Sequence, residues 1–286
     1  LNNKNKLVDK SSTLYSLLKD RQLSFKEWKE LKKICDDNGI AFFATAAFEK
    51  EIDFLESIKC DSIKIASADM NHLPLIEYAA KTGLCIQIDS GMASIAEIEN
   101  AVNLIESCNN KKIIIHQCPS GYPAYLESIN LNMIKTLKSM FDYPIAFSDH
   151  TPGATMDIAA ISLGVNLIEK TITLNRKTKS IEHVMSIEPK EMGSFIETLR
   201  NVEIAMGKYR RLLSPVEKTN RDKLRRTAHY GKDYKPNTMF KDISIIYMRP
   251  GDGVTPDQIY HNKKNKKTKL KKSVKKFEQI KFDHFE

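Results

Sequence analysis

Hydrophobic and polar positions alternate between two rhythms along the chain. Six short apolar runs each stop at a hydroxyl or a charged residue: 40–47 (IAFFATAA), 62–67 (SIKIAS), 84–90 (LCIQIDS), 112–118 (KIIIHQC), 144–150 (PIAFSDH) and 167–173 (LIEKTIT). Between them lie stretches with helical spacing. In 25–38, Phe25, Trp28, Leu31 and Ile34 share one face, and Asn38-Gly39 stops the helix. Further helices are predicted near 49–58, 72–81, 94–107, 129–140, 155–163 and 190–206. Strands alternating with helices predict a parallel sheet. A doubly wound nucleotide-binding sheet would carry a glycine-rich first turn. The sequence has no GxGxxG and no GxxxxGK[ST]. Polar residues at nearly every strand end suit an α/β fold of the TIM (β/α)8 barrel type, where those ends face one mouth. Six strands are counted rather than eight, and the expectation is that two precede Leu1.

After Met206-Gly207 the pattern changes. Residues 208–226 (KYRRLLSPVEKTNRDKLRR) are basic, broken by Pro215, and are expected to link two domains. Short β-like runs at 236–240, 243–251 and 277–283 predict a small β-rich C-terminal domain over 227–286. The first domain is expected to span 1–207.

Charge alters this picture little. The formal charge is +9, and nine lysines with no acid fall within 263–276. Without them the chain is neutral. The run has no arginine or aromatic, so a nucleic-acid partner is not expected, and it is read as a solvated surface or loop. No apolar run reaches the ~20 residues of a membrane helix. The N-terminal residues have no apolar signal-peptide core. Five cysteines, an odd number without a CxxC pair, fit free thiols and a cytoplasmic location.

The predicted mouth gathers Thr45, Lys64, Ser67, Asp69, Asp89, Ser90, Ser120, Tyr122, Ser148, Asp149, His150 and Thr171. Strand alternation turns Lys64 away from Ile63 and Ile65. If it faces the barrel interior, its ammonium needs an anion, and short hydroxyls nearby suit a phosphate monoester. The bland alternative is that these hydroxyls cap the following helices. His150 can bind a metal or shuttle a proton. Asp69 and Glu182 can recognise sugar hydroxyls or move protons. Asp89 is a third carboxylate, and His116 and His183 are further nitrogen donors. Glu169 next to Lys170 reads equally well as a structural ion pair.

Together the motifs 63–76 (IKIASADMNHLPLI), 89–94 (DSGMAS), 118–124 (CPSGYPA), 146–153 (AFSDHTPG), 163–174 (LGVNLIEKTITL) and 182–189 (EHVMSIEP) resemble the sialic acid synthase family. The stretch 248–256 (MRPGDGVTP) resembles that family's C-terminal antifreeze-like, or SAF, domain. The resemblance implies a C–C bond-forming transferase. It condenses phosphoenolpyruvate with an N-acylated hexosamine, such as N-acetylmannosamine, to give a nonulosonic acid and phosphate, aided by Mn²⁺ or Mg²⁺. It further implies phosphoenolpyruvate contacts at Thr45, Lys64, Ser67, Ser120 and Ser148, sugar contacts at Asp69, Tyr122 and Glu182, and catalytic roles for His150, Lys64 and Glu182. His150 would be a metal ligand. Arg249 would reach the sugar site of a partner in a domain-swapped homodimer.

Three departures from the family pattern stand out. EKTIT replaces EKHFT, so Thr171 stands where a second histidine would bind the metal: either metal affinity drops, or His183 or Glu182 substitutes, or the chain belongs to a divergent subgroup. Ile181-Glu182 replaces GPD. The AEIG and VKFQ motifs of the family's first two strands are absent, so poor activity is expected of this chain alone. Two alternatives are a non-catalytic homologue that binds a sugar or serves assembly, and a different barrel lyase or aldolase using Lys64 as a Schiff-base lysine.

Overall fold

The computed structural model describes residues 19, 22–178, 182–250, 252–262 and 268–286 of the 286. The chain divides into two compact units, Leu1–Gly207 and Lys208–Glu286.

The first unit opens with α1 (Phe25–Asp37), started by a Ser24–Glu27 capping box that satisfies its first free N–H groups. Then follow β1 (Phe43–Thr45), α2 (Glu49–Ser57), β2 (Ser62–Ile65), α3 (Leu73–Lys81), β3 (Cys85–Asp89), α4 (Ile95–Ser107) and β4 (Ile113–Gln117). A short α5 (Leu126–Ile129) precedes α6 (Asn132–Met140), β5 (Ile145–Asp149), α7 (Thr155–Ser162), β6 (Leu167–Lys170) and α8 (Pro189–Met206). The six strands pair in parallel in chain order, β1 to β6. The helix expected over 129–140 is split at Asn130, whose φ of 42° is left-handed and ends α5.

Period-two alternation sorts the strand residues. Ile63, Ile65, Ile86, Ile88, Ile113, Ile115, Ile145 and Phe147 pack with Ile52, Leu55, Leu75, Ile76, Ile98, Ile105, Ile134 and Leu137 of the helices in one buried core. The alternate positions form the other face, in the registers Thr45–Lys64–Gln87, Asp89–His116–Ala146 and Ser148–Glu169. That face is curled. Lys64 on β2 and Glu169 on β6 are four strands apart, about 19 Å on a flat sheet, yet their side chains meet at 2.5–2.7 Å. A half-barrel curvature brings them together.

Lys170 does not pair with its neighbour Glu169, because adjacent strand residues point to opposite faces. It lies instead between Asp149 and Asp157, 3.3 Å from Asp157 and closer still to Asp149. Asp149 also accepts from the Thr151 hydroxyl and amide. Asp157 is fully buried, and burial together with the Asp149 charge pushes its carboxyl up to about 7. A carboxyl raised above its unfolded value of about 3.9 contributes stability below that value, and the contribution is lost as pH rises through the folded pKa. Asp157→Asn cannot ionise. Its melting temperature should exceed that of the parent at pH 8, by a few degrees (about 2–4 °C per kcal/mol), and the gap should close near pH 4. A pH-independent difference in calorimetry would contradict this.

The second unit begins inside 208–226. Rather than a plain linker, these residues carry α9 (Pro215–Leu224), started by a Ser214–Glu217 capping box. Strands β7 (Thr227–Tyr230) and β8 (Ile245–Met248) pair antiparallel, and α10 (Pro256–Asn262) follows. Among the described residues, 236–240 supplies only the Met239–Lys269 bridge and 277–283 only the Gln279–His229 bridge, although both were read as strands. Left-handed turns at Asn237 and Phe277 interrupt both. Tyr230, Tyr234, Phe240, Ile259, Leu270, Val274 and Ile280 form the core of this unit. The lysine-rich run lies partly outside the described residues. Its described half is not a plain solvated loop: Leu270 and Val274 are buried between exposed lysines.

Candidate active site

The strand ends of the first unit are packed tightly. Gly91, just after β3, has no room for a side chain: a Cβ there would come within 3.1 Å of Ser67 Oγ and of the Cys118 carbonyl. Ser120 Oγ donates to the Gly91 carbonyl at 3.1 Å. Ser148, fully buried on β5, adjoins the Cys118 thiol, which burial pushes up to about 12. The Ala124 amide donates to the His150 carbonyl, and the Tyr122 ring stacks on the His150 ring at 4.4 Å. This chain of contacts joins Ser67, Ser120, Tyr122, Ser148 and His150 across β2 to β5.

Lys64 lies on the inward face and is buried. Its immediate partners are carboxylates rather than the expected ring of alcohols. Nζ is 3.1 Å from Asp89 and 2.5 Å from Glu169. Burial alone would lower its pKa, but the two carboxylates outweigh that and raise it, so the ammonium persists. Burial raises the Asp89 carboxyl against the pull of Lys64. Burial opposes ionisation of Glu169 as well, yet His116 and Lys64 hold it down at about 2.

His116 completes the group. Its Nδ1 lies 3.3 Å from Glu169 and 3.8 Å from Asp89, and its Nε2 lies 2.8 Å from Gln87 Oε1. Asp89, His116 and Glu169 offer three ligand atoms within 4.8 Å of one another. Among the described residues this is the one group of histidine, cysteine and carboxylate side chains so arranged. Asp89 Oδ1 and His116 Nδ1 are buried without a hydrogen-bond partner. Two carboxylates and an imidazole within that reach are ligand types that suit a divalent cation.

The other expected residues are distributed as follows. Burial lowers the His150 pKa, which keeps the ring neutral, and its Nδ1 has no partner. Thr171 Oγ1 is likewise buried and unpartnered. His183 is not a member of the acidic group, and its Nδ1 contacts Thr173 Oγ1 at 2.6 Å. Asp69 is half-buried in the single turn Ser67–Asp69, and Thr45 is exposed at the end of β1. Glu182 is exposed, and its charge raises the Tyr122 hydroxyl further after burial has done so. Arg249 is exposed in the second unit. The sequence already put Asp89 at the mouth, whereas His116 and Glu169 were visible only as donors without a place. The available signal was strand parity, which puts each of them on the Lys64 face.

A profile of the NeuB family matches residues 2–211. An uncharacterized protein of Methanocaldococcus jannaschii is 35% identical over 247 residues, covering 86% of this chain and 73% of its own length. The N,N'-diacetyllegionaminic acid synthase of Legionella pneumophila is 30% identical over 254 residues, covering 87% of this chain and 71% of its own. Among solved structures, the N-acetylneuraminic acid (sialic acid) synthetase of Leptospira borgpetersenii serovar Hardjo-bovis, in complex with citrate, superposes with a TM-score of 0.68 at 32% identity, over 72% of each chain. With its half-barrel, its polar inward face and a profile match over most of its length, this chain belongs to the NeuB family.

Proposed function

We propose that this protein is a nonulosonic acid synthase, condensing phosphoenolpyruvate with an N-acylated hexosamine and releasing phosphate. The observation that carries the reading is the Lys64 ammonium. It is buried on the inward face and persistently charged, and Ser67, Ser120 and Ser148 lie at or just after the ends of β2, β4 and β5. A charged donor beside short hydroxyls suits a phosphate monoester. Lys64 would hold the phosphate, the serines would orient it, and the surrounding backbone would keep water from the enol. Neutral His150, stacked on Tyr122, would present an unprotonated nitrogen toward the sugar. Asp69, Tyr122 and Glu182 would bind the sugar hydroxyls, with Thr45 beside the phosphate.

Asp89, His116 and Glu169 fit a divalent cation, Mn²⁺ or Mg²⁺, and His150 and Thr171 offer further orphaned donors. When bound, such an ion would polarise the sugar aldehyde. The Schiff-base alternative finds no support in Lys64, because an amine kept protonated by two carboxylates is a poor nucleophile. We further propose a cytoplasmic, domain-swapped homodimer with Arg249 serving the partner's sugar site and the second unit acting as a SAF domain. The five cysteines include no disulfide. Among the described residues no helix is long and apolar enough to cross a membrane.

The test is phosphate release from phosphoenolpyruvate with Mn²⁺ and a panel of N-acyl mannosamine-like sugars. Release is expected to require both the sugar and the ion. Silence across the panel would count against the synthase reading.

A further inference from the structure

We propose that Thr151 and Lys170 are positioning residues for the reaction: from the outer side of the sheet they fasten the backbone on both sides of His150, and so hold its ring against Tyr122 at the strand ends.

The parity of β5 sets the arrangement. Ser148 and His150 share one face, and Asp149 between them turns to the other, in register with Lys170 of β6. There Asp149 and Lys170 take up every polar group of Thr151. Asp149 accepts from the Thr151 amide at 2.9 Å and from its hydroxyl at 2.8 Å, and Lys170 donates to the Thr151 carbonyl at 2.6 Å. The same ammonium is paired with Asp149 and stands 3.3 Å from Asp157 of α7, so its three N–H donors face three acceptors. All of this is buried.

A carboxylate that accepts from the amide two residues on also makes an ordinary local turn. The turn accounts for Asp149. It does not account for Lys170, which reaches the Thr151 carbonyl from another strand. Residues 149 and 151 are both joined to one buried ammonium. The peptide units flanking His150 therefore cannot rotate without parting charge-assisted hydrogen bonds in a space closed to water.

The ring needs such support. Its Nδ1 has no partner. The Tyr122 ring stacks on it at 4.4 Å, and Pro119 offers a backbone hydrogen bond. Both come from the loop after β4. That loop is tied to Gly91 through Ser120, and it leans on His150 itself through the Ala124 amide at 2.9 Å. Ring and loop thus support each other, and the clamp behind β5 sets where the pair stands. Misplacing a reacting group by about 1 Å costs about a hundredfold in rate. The hold on the ring rests on this geometry alone, and its effect on rate rests on the synthase reading.

Thr151→Val keeps the branched shape and removes the hydroxyl. Proton NMR of the histidine rings in the 286-residue chain, recorded without paramagnetic Mn²⁺, tests the hold, with His150→Gln assigning the His150 signal by its loss. In the parent, the ring current of Tyr122 should displace that signal upfield, and Tyr122→Leu should abolish the displacement. Thr151→Val should move it toward the Tyr122→Leu position and leave the His72, His229, His261 and His284 signals in place. Thr151→Ser, which restores the hydroxyl, should return it. Lys170→Met should act like Thr151→Val at a temperature where its circular dichroism matches the parent's. In the phosphate-release assay Thr151→Val should lose about tenfold or more in kcat, with KM for phosphoenolpyruvate changed by less than about threefold, and Thr151→Ser should recover the loss.

The proposal is overturned if the parent's His150 signal is not displaced, or if Thr151→Val leaves it where the parent has it. It also falls if the kinetic loss lies in KM alone, if kcat is unchanged while the signal moves, or if serine does not rescue. A parent that never releases phosphate would count against the synthase reading, and the ring signal would still decide whether the clamp holds His150.

Discussion

Lys64→Met should lower kcat/KM for phosphoenolpyruvate by about a hundredfold or more, while the affinity for the sugar should change by less than about threefold. Losing one partner of a buried charge-assisted contact costs about 2–5 kcal/mol, and each 1.4 kcal/mol is about a factor of ten. The sugar is expected to touch Asp69, Tyr122 and Glu182, none of which contacts Lys64. Equal losses for both substrates would remove the lysine from the phosphate site. The same change leaves Asp89 and Glu169 without their ammonium. Breaking a fully buried ion pair costs about 3–5 kcal/mol. Here about 2–4 kcal/mol is expected, because the Glu169 side chain keeps 35% of its surface in solvent and is screened. Glu169 has a folded pKa of about 2, below its unfolded value. The stabilisation it draws from Lys64 is therefore present above about pH 4.5 and is lost as pH falls toward 2. Melting curves at pH 7 and pH 3 separate the two effects: the stability gap between parent and variant should shrink at the lower pH, and a binding defect that follows the unfolding curve would be a folding artefact.

Lys170→Met produces the largest loss of stability, about 3–5 kcal/mol, or on the order of 10 °C in melting temperature. Lys170 is 4% exposed at its side chain, and Asp149 and Asp157 are fully covered. Without the ammonium, two aspartates share a space that no water reaches. Asp157 already sits at about 7 with the lysine present, and removing that charge drives its carboxyl higher. The cost of the substitution is thus greatest at pH 8 and declines as pH falls through about 7 toward 4, where Asp157 becomes neutral in the folded chain. A loss of the same size at both pH values would mean that the lysine stem, and not its charge, supports β5 and β6.

The two lysines illustrate what a one-dimensional pattern reveals. Lys64 was legible as an inward residue because its neighbours Ile63 and Ile65 mark the opposite face, and the period of two is a local property. The strands themselves were legible for the same reason, together with most helices, whose apolar positions recur at 3.6-residue spacing. A Glu169–Lys170 ion pair, one of the two readings open in the sequence, fails because adjacency in sequence is not adjacency in space. In the second unit, 236–240 and 277–283 read as strands on composition, whereas the left-handed turns at Asn237 and Phe277 allow each a single bridge. Leu270 and Val274 were hidden by the lysines around them, since two apolar residues four apart carry little signal within a charged run.

Local order along the chain determined which elements form, which face of each strand is polar and that an ammonium would be turned inward: these depend on neighbours a few residues apart. Only the tertiary structure decided that Asp89, His116 and Glu169 would surround that ammonium. They come from β3, β4 and β6, and their meeting with β2 requires the curl of the whole sheet, which the packing of helices against Ile63, Ile88, Ile115 and Phe147 imposes collectively and no single segment encodes.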